Sequence, residues 1–137
     1  MKALLLALFL VASMAASSQF GIGYTASQVY DKLVDKDETA KSYRLDNGAT
    51  AIIISSPKKS WKTVYLIKKE TQICEAYVLV PDDSKARNLI AKYCDDNFVQ
   101  ETTRSWRTYV RDFTITIKLE YVDGFGLCFF FRRADDD

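Results

Sequence analysis

Histidine is absent from this chain, so catalysis would have to use a thiol, a lysine or a pair of carboxylates. The thiols are Cys74, Cys94 and Cys128. The first and last fall in predicted strands, and Cys94 falls on the apolar stripe of a predicted helix. We therefore expect three buried free thiols, which behave as small apolar side chains. One disulfide with one free thiol is the alternative arrangement.

The carboxylates that stand close together in the sequence do not form a recognisable site. Asp95 and Asp96 are adjacent, and adjacent side chains on a helix point about 100° apart. They also lack the alternating spacing and the glycine of a calcium loop. The final run, Asp135 to Asp137, is predicted to be a frayed acidic tail. The sequence thus predicts no catalytic residue, no metal and no cofactor.

Basic and aromatic residues interleave in two segments, and such a pattern can bind a partner by ring stacking and charge. The alternative is an ordinary exposed sheet face on which lysine stems cover the rings. Nucleic acid is not expected, because the predicted mature chain has 18 basic and 18 acidic residues once Lys2 is removed. The candidate binding residues are Trp61, Lys62, Tyr65, Tyr77, Arg104, Trp106, Arg107 and Tyr109.

The start of the chain has the three-part layout of a secretory signal peptide over residues 1–18. A basic start is followed by an apolar run from Ala3 to Val11, which is too short to cross a bilayer as a helix. Small residues at Ala16 and Ser18 predict cleavage before Gln19, and Ser13 with Ala15 is a second choice. We expect an exported protein, periplasmic or extracellular, whose mature chain has no transmembrane span.

The remaining residues, 19–137, predict a single α+β domain. Asn47-Gly48 marks one hairpin turn, and Pro81 followed by Asp82-Asp83 begins the clearest helix. The segment from Phe98 to Tyr109 is predicted to be extended, and a turn from Trp106 to Tyr109 is the alternative. The expected architecture is an antiparallel sheet of about six to seven strands with two helices packed on one face, in the order α-β-β-β-β-α-β-β-β.

Alternation along the predicted strands assigns residues to faces. In the fourth strand the apolar set of Cys74, Ala76, Val78 and Val80 is expected to be covered. The partly apolar outer face then holds Trp61, Tyr65, Ile73 and Tyr77. In a later strand Thr116 is expected on the face opposite the core. The predicted core contains Leu89, Ile90, Ile115, Ile117, Phe129 and Phe131.

Two features resemble known exported proteins. The run from Phe20 to Val29, with Gly21, Gly23 and Thr25, resembles the opening of small envelope proteins that include SmpA/OmlA-type outer-membrane assembly lipoproteins. The whole layout, with a Trp-x-x-Tyr at Trp106 near the last strands, resembles small uncharacterised secreted proteins of Bacteroidota-type bacteria. The chain lacks the lipidation cysteine that anchors the assembly lipoproteins. The resemblance implies a binding role and transfers no catalytic residue.

These observations favour an exported, non-enzymatic binding module that recognises a protein or an envelope component, such as a glycan, through its sheet face. Two alternative functions, from other classes of protein, remain open. One is a small hydrolase or thiol enzyme that uses Cys or Asp. The other is a carrier that holds a small apolar ligand between the sheet and the helices.

Export makes a direct prediction about the mature N-terminus. Mass spectrometry of the secreted protein should show a first residue between Ala16 and Gln19, because signal peptidase cleaves after small residues. A mature protein that still begins at Met1 would contradict the export prediction.

Overall fold

The computed structural model describes residues 21–110 and 113–134. The predicted signal peptide, its cleavage sites and the run Asp135 to Asp137 lie outside the described residues. Two helices and eight strands follow one another in these ranges: α1 Ala26–Leu33, β1 Thr39–Arg44, β2 Thr50–Ser55, β3 Trp61–Ile67, β4 Cys74–Pro81, α2 Ser84–Asn97, β5 Val99–Thr102, β6 Ser105–Tyr109, β7 Thr114–Val122 and β8 Gly126–Arg133.

All eight strands join one antiparallel sheet in the order β1-β2-β3-β4-β8-β7-β6-β5. Each half of the chain is a helix followed by four consecutive strands, and the halves meet where β4 pairs with β8. The α+β antiparallel class is confirmed. The expected six to seven strands and the order ending in three strands are wrong, because the second half also contains four.

The additional strand comes from a hairpin whose turn carries no Gly, Pro or Asn. Between β5 and β6 the Thr102 hydroxyl accepts a hydrogen bond from the backbone N–H of Arg104, at 3.1 Å. The same hydroxyl lies 2.8 Å from the hydroxyl of Ser105. Hydroxyl side chains can close a turn in this way, with less sequence signal than glycine gives. The segment predicted as extended is therefore two strands, and the alternative of a turn from Trp106 to Tyr109 is wrong because these residues belong to β6.

Side-chain caps fix where both helices begin. Thr25 and Gln28 form a reciprocal capping box at the start of α1. Asp83 caps α2 by accepting a hydrogen bond from the backbone N–H of Ala86, at 2.8 Å. Neither described helix has the length and apolarity that crossing a membrane would require.

Both helices pack on the same face of the sheet. Val29 of α1 contacts the cluster that includes Ile52 and Ile67, and Ile90 of α2 contacts the cluster that includes Phe131. One row of cross-strand partners on this face spans all eight strands: Ser42, Ile52, Tyr65, Tyr77, Phe131, Ile117, Trp106 and Gln100. We call this side the helix-covered face.

The face assignment predicted for β4 is wrong. A register irregularity opposite Leu66 and Ile67 makes Glu75 an extra residue in β4, so Cys74 lies on the helix-covered face while Ala76 does not. Downstream of this bulge, Tyr77 lies under the helices and Val78 lies on the opposite side. One inserted residue is enough to exchange the two faces of a strand.

Five of the six predicted core residues belong to one buried cluster under α2. The exception is Leu89, which is 56% exposed, because only Ala86, Ile90 and Cys94 form the buried line of α2. On the sheet's other side Thr116 is 2% exposed, and its hydroxyl donates to the carbonyl of Arg132 at 3.4 Å. Thr116 thus lies on the face opposite the core, as predicted, but its side chain is buried there.

The residues before α1 are tied to the start of β4. The backbone N–H of Gly23 donates to the carbonyl of Cys74, and the N–H of Cys74 donates to the carbonyl of Tyr24, both at 2.7 Å. Ile22 is buried in the cluster under α2. At Gly21, which has a φ of +85°, an added Cβ would lie 2.8 Å from the Tyr65 ring. Only glycine allows this close approach at a positive φ.

The core assignment predicts unequal effects of two large-to-small substitutions. Ile117→Ala should lower the free energy of unfolding by about 2–5 kcal/mol, because the removed side chain is fully buried. Leu89→Ala is the matched control and should change it by less than about 1 kcal/mol, because Leu89 is exposed. Denaturant unfolding measures both values, and equal losses would contradict the packing described here.

Candidate functional site

Four of the five aromatic members of the predicted binding set, Trp61, Tyr65, Tyr77 and Trp106, lie on the helix-covered face. Tyr77 stacks on Phe131 with ring centroids 4.5 Å apart, and Tyr65 lies 5.5 Å from Tyr77. Trp61 packs against the same cluster. Burial raises the pKa of both tyrosines well above the ordinary value. These rings stabilise the core, and the structure does not place them on an exposed outer face.

Trp106 is also buried, and it holds α2 to β6. Its indole N–H donates to a carboxylate oxygen of Asp95 at 2.8 Å, and its ring lies 5.9 Å from that of Phe129. A buried indole needs a partner for its N–H, and Asp95 supplies it. Asp95, weighed above as a catalytic carboxylate, therefore has a structural partner. The neighbouring Asp96 pairs with Lys92 at 3.0 Å.

The remaining members of the predicted set lie away from these rings. Arg104 is in the β5–β6 turn, and Tyr109 is 67% exposed at the end of β6. Arg107 pairs with Glu101 at 2.9 Å. Lys62 is exposed on the side of β3 opposite Trp61. The structure thus divides the eight predicted residues between the two faces of the sheet, and their role in binding stays a prediction.

The most extensive candidate surface is the side of the sheet on which neither described helix packs. It carries a separate apolar cluster that crosses β2, β3, β4 and β8 and reaches the end of β7. We call this cluster and its surrounding residues the open face. Its apolar members are Ala51, Ile53, Val64, Leu66, Val78, Val80, Val122, Cys128 and Phe130.

The centre of this apolar cluster is buried. Val64 and Val78 are cross-strand partners in the middle of the open face and are only 8% and 6% exposed, and Cys128 is fully buried. The next residues outward in the row of Val64 and Val78 are Ile53 on β2 and Phe130 on β8, and both are half-buried. The apolar surface that this face offers to a partner is therefore limited to its half-buried members.

Charged side chains border this cluster. Lys41 on β1 pairs in register with Ile53, and Lys118 on β7 pairs with Phe130, so one lysine lies on each side. Lys62 and Arg132 lie beside Val80 and Ala76. The exposed carboxylate of Glu120 lies on the same side, opposite Cys128. The border of the open face is therefore mixed in charge, with more basic than acidic side chains.

The sequence contained one signal for this surface that the alternation analysis did not use. The run Ala51 to Ile54 in β2 and the run Leu127 to Phe131 in β8 are continuously apolar, which is typical of strands that bury both faces. A half-buried strand would alternate. The continuous runs therefore indicated apolar surface on both sides of the sheet centre.

The three thiols are free and buried. Desolvation raises the pKa of Cys74 and of Cys94 to about 12, and it also raises the pKa of Cys128. A reactive cysteine needs the opposite shift, because the thiolate is the nucleophile. The described residues also contain no group of three or more potential metal-ligating side chains.

Comparisons of the chain with protein-family models, with curated proteins and with solved structures return no match. A function must therefore be argued from the chemistry of the surface itself.

The raised pKa values predict slow thiol chemistry in the folded protein. Cys74, Cys94 and Cys128 should react slowly with a thiol reagent at neutral pH and quickly after denaturation, because burial disfavours the thiolate. The assay is repeated after reduction, so that a disulfide is not mistaken for protection. A cysteine that reacts fast while the fold is intact would instead support a thiol enzyme.

Proposed function

We propose that this protein is an exported, non-enzymatic binding module that recognises a protein or an envelope component through the open face. The observation that carries the proposal is the second apolar cluster, on the side of the sheet where neither described helix packs. Its members Ile53 and Phe130 are half-buried, and Lys41 and Lys118 lie in register beyond them. Apolar surface framed by polar groups is the usual anatomy of an interaction site.

The state of the potential catalytic groups supports a binding role over an enzyme. Burial raises the pKa of all three thiols, which disfavours nucleophilic chemistry. Asp95 accepts a hydrogen bond from the indole of Trp106, and Asp96 forms an ion pair with Lys92. A hydrolase or thiol enzyme would need one of these groups free and activated.

The space between sheet and helices offers no support for a small-ligand carrier. Trp106, Phe129 and Phe131 are at most 3% exposed and fill the region under α2. Packed aromatic rings in mutual contact leave little room for an additional molecule. The open face is therefore the better candidate for recognition.

Export remains part of this proposal, on the strength of the signal-like layout of residues 1–18. The resemblance of the segment from Phe20 to Val29 to the opening of envelope proteins supports the same location. An exported binding module would meet its partner in the periplasm or outside the cell.

Site-specific photo-crosslinking in the producing cell tests the proposed surface. A photoreactive phenylalanine analogue at Phe130 should form adducts with a partner, because Phe130 is a half-buried aromatic residue of the open face. The matched control places the same analogue at Leu89, an exposed apolar position on α2. Gel mobility and mass spectrometry report the adducts.

Adducts from the Phe130 position and not from the Leu89 position are the expected result. Adducts only from Leu89 would move the interaction to the outer side of α2. Equal labelling at both positions, or none at either, would contradict recognition through the open face.

A further inference from the structure

We propose that Asn47 is a site of spontaneous covalent modification, at which the folded protein converts a neutral side-chain amide into a carboxylate. The backbone nitrogen of Gly48 loses its proton and attacks the side-chain carbonyl carbon of Asn47. The new C–N bond closes a cyclic imide, and ammonia leaves. Water then opens the imide, which leaves either aspartate or isoaspartate at position 47. Water is the only co-reactant, and the reaction does not depend on which partner the protein recognises.

The residue that follows an asparagine determines how easily this ring closes. Gly48 has no side chain that could obstruct the approach of its nitrogen to the Asn47 side chain. The other two asparagines of the chain, Asn88 and Asn97, each precede a large apolar residue, which hinders the same approach. All three asparagines are exposed, so access of water does not distinguish them. The difference must come from the following residue and from the local backbone.

The turn between β1 and β2 presents the Asn47 side chain to the attacking nitrogen. The backbone N–H of Ala49 donates to Oδ1 of Asn47 at 2.9 Å, which folds the side chain back along the Gly48 peptide. A backbone N–H in this position stabilises the negative charge that develops on a carbonyl oxygen during nucleophilic attack. The turn therefore both positions and polarises the reacting amide.

One hydrogen bond of the same turn restrains the reaction. The backbone N–H of Gly48 donates to the carbonyl of Leu45 at 2.9 Å, and this bond must be released before the nitrogen can attack. Among the described strands β1 pairs only with β2, and five of its six residues are exposed. Exposed edge elements of this kind open locally while the rest of a domain stays folded. The folded protein therefore reaches the reactive arrangement by local opening of the β1–β2 hairpin.

The helix α2 holds the other two asparagines in an unreactive arrangement. Asn88 lies within α2, where the next backbone N–H belongs to the helical hydrogen-bond ladder. At the end of α2 the N–H of Phe98 donates to the carbonyl of Cys94 at 2.9 Å. The side-chain amide of Asn97 donates to the carbonyl of Tyr93 at 2.8 Å, which directs it away from the following nitrogen. These two residues are therefore internal controls for Asn47.

The two products would affect the hairpin differently. Aspartate leaves the main chain unchanged, and its carboxylate can still accept the hydrogen bond from Ala49. Isoaspartate adds a methylene group to the main chain, so the N–H of Leu45 would no longer meet the carbonyl of Ala49, which it now contacts at 2.8 Å. Either product places a negative charge beside Lys69, whose side chain lies against Gly48.

Peptide mapping by mass spectrometry tests the site. The purified, folded protein is incubated at mildly alkaline pH and then digested, and circular dichroism before digestion checks that it is still folded. The peptide that contains Asn47 should gain the mass of an amide-to-acid conversion at least about tenfold faster than the peptides that contain Asn88 or Asn97. The rate should rise with pH, because the attacking nitrogen must first lose its proton.

Two variants separate the chemistry from its effect on the structure. Asn47→Gln keeps an exposed amide but would have to close a larger ring, so conversion at this position should be at least about tenfold slower. Asn47→Asp supplies the aspartate product with an unaltered main chain. Amide hydrogen exchange of β1 should match the wild type in Asn47→Asp and should be faster in the isoaspartate fraction of the incubated protein.

Equal rates at the three asparagines, or conversion of Asn47 only after denaturation, would overturn the assignment of this site. Conversion of the Asn47→Gln variant at the wild-type rate would do the same. An isoaspartate fraction in which β1 exchanges as slowly as in Asn47→Asp would refute the predicted effect on the hairpin. None of these results bears on crosslinking at Phe130, so the modification site and the proposed function are tested separately.

Discussion

The alternation of side chains between the two faces of a single eight-stranded sheet is the constraint on which the rest of the structure depends. The sheet has two faces, and both described helices pack on one of them. The row that includes Tyr65, Tyr77 and Phe131 is therefore part of the core under the helices. The row that includes Val64 and Val78 lies on the face where neither described helix packs. The candidate surface is thus a direct consequence of where two short helices lie.

Much of the secondary structure was predictable from local sequence. The hairpin turn predicted at Asn47-Gly48 joins β1 to β2, and the helix predicted after Pro81 begins at a cap supplied by Asp83. The strand count was not predictable in the same way, because the turn at Thr102 to Ser105 is closed by hydroxyl groups, which give a weaker sequence signal than Gly or Asn.

The candidate surface could be anticipated only in part, for a geometric reason. The bulge at Glu75 moves every later residue of β4 to the other face, and the local sequence does not predict this bulge. Tyr77, which was predicted on the outer face, therefore lines the core beside its cross-strand partner Tyr65. The positions of Lys41 and Lys118 on the open face follow from the pairing of β1 with β2 and of β7 with β8, which the sequence alone does not show.

The pairing of β4 with β8 has a consequence for how the chain is made. Synthesis is vectorial, and β4 is complete long before residues 126–133 of its neighbour exist. Until then the first half carries a free apolar strand edge, the kind of edge that recruits other chains into aggregates. Pairing with the C-terminal strand thus covers this edge and protects the N-terminal half from aggregation. A product that stops before Gly126 would be expected to aggregate, although it contains a complete helix and four-stranded meander.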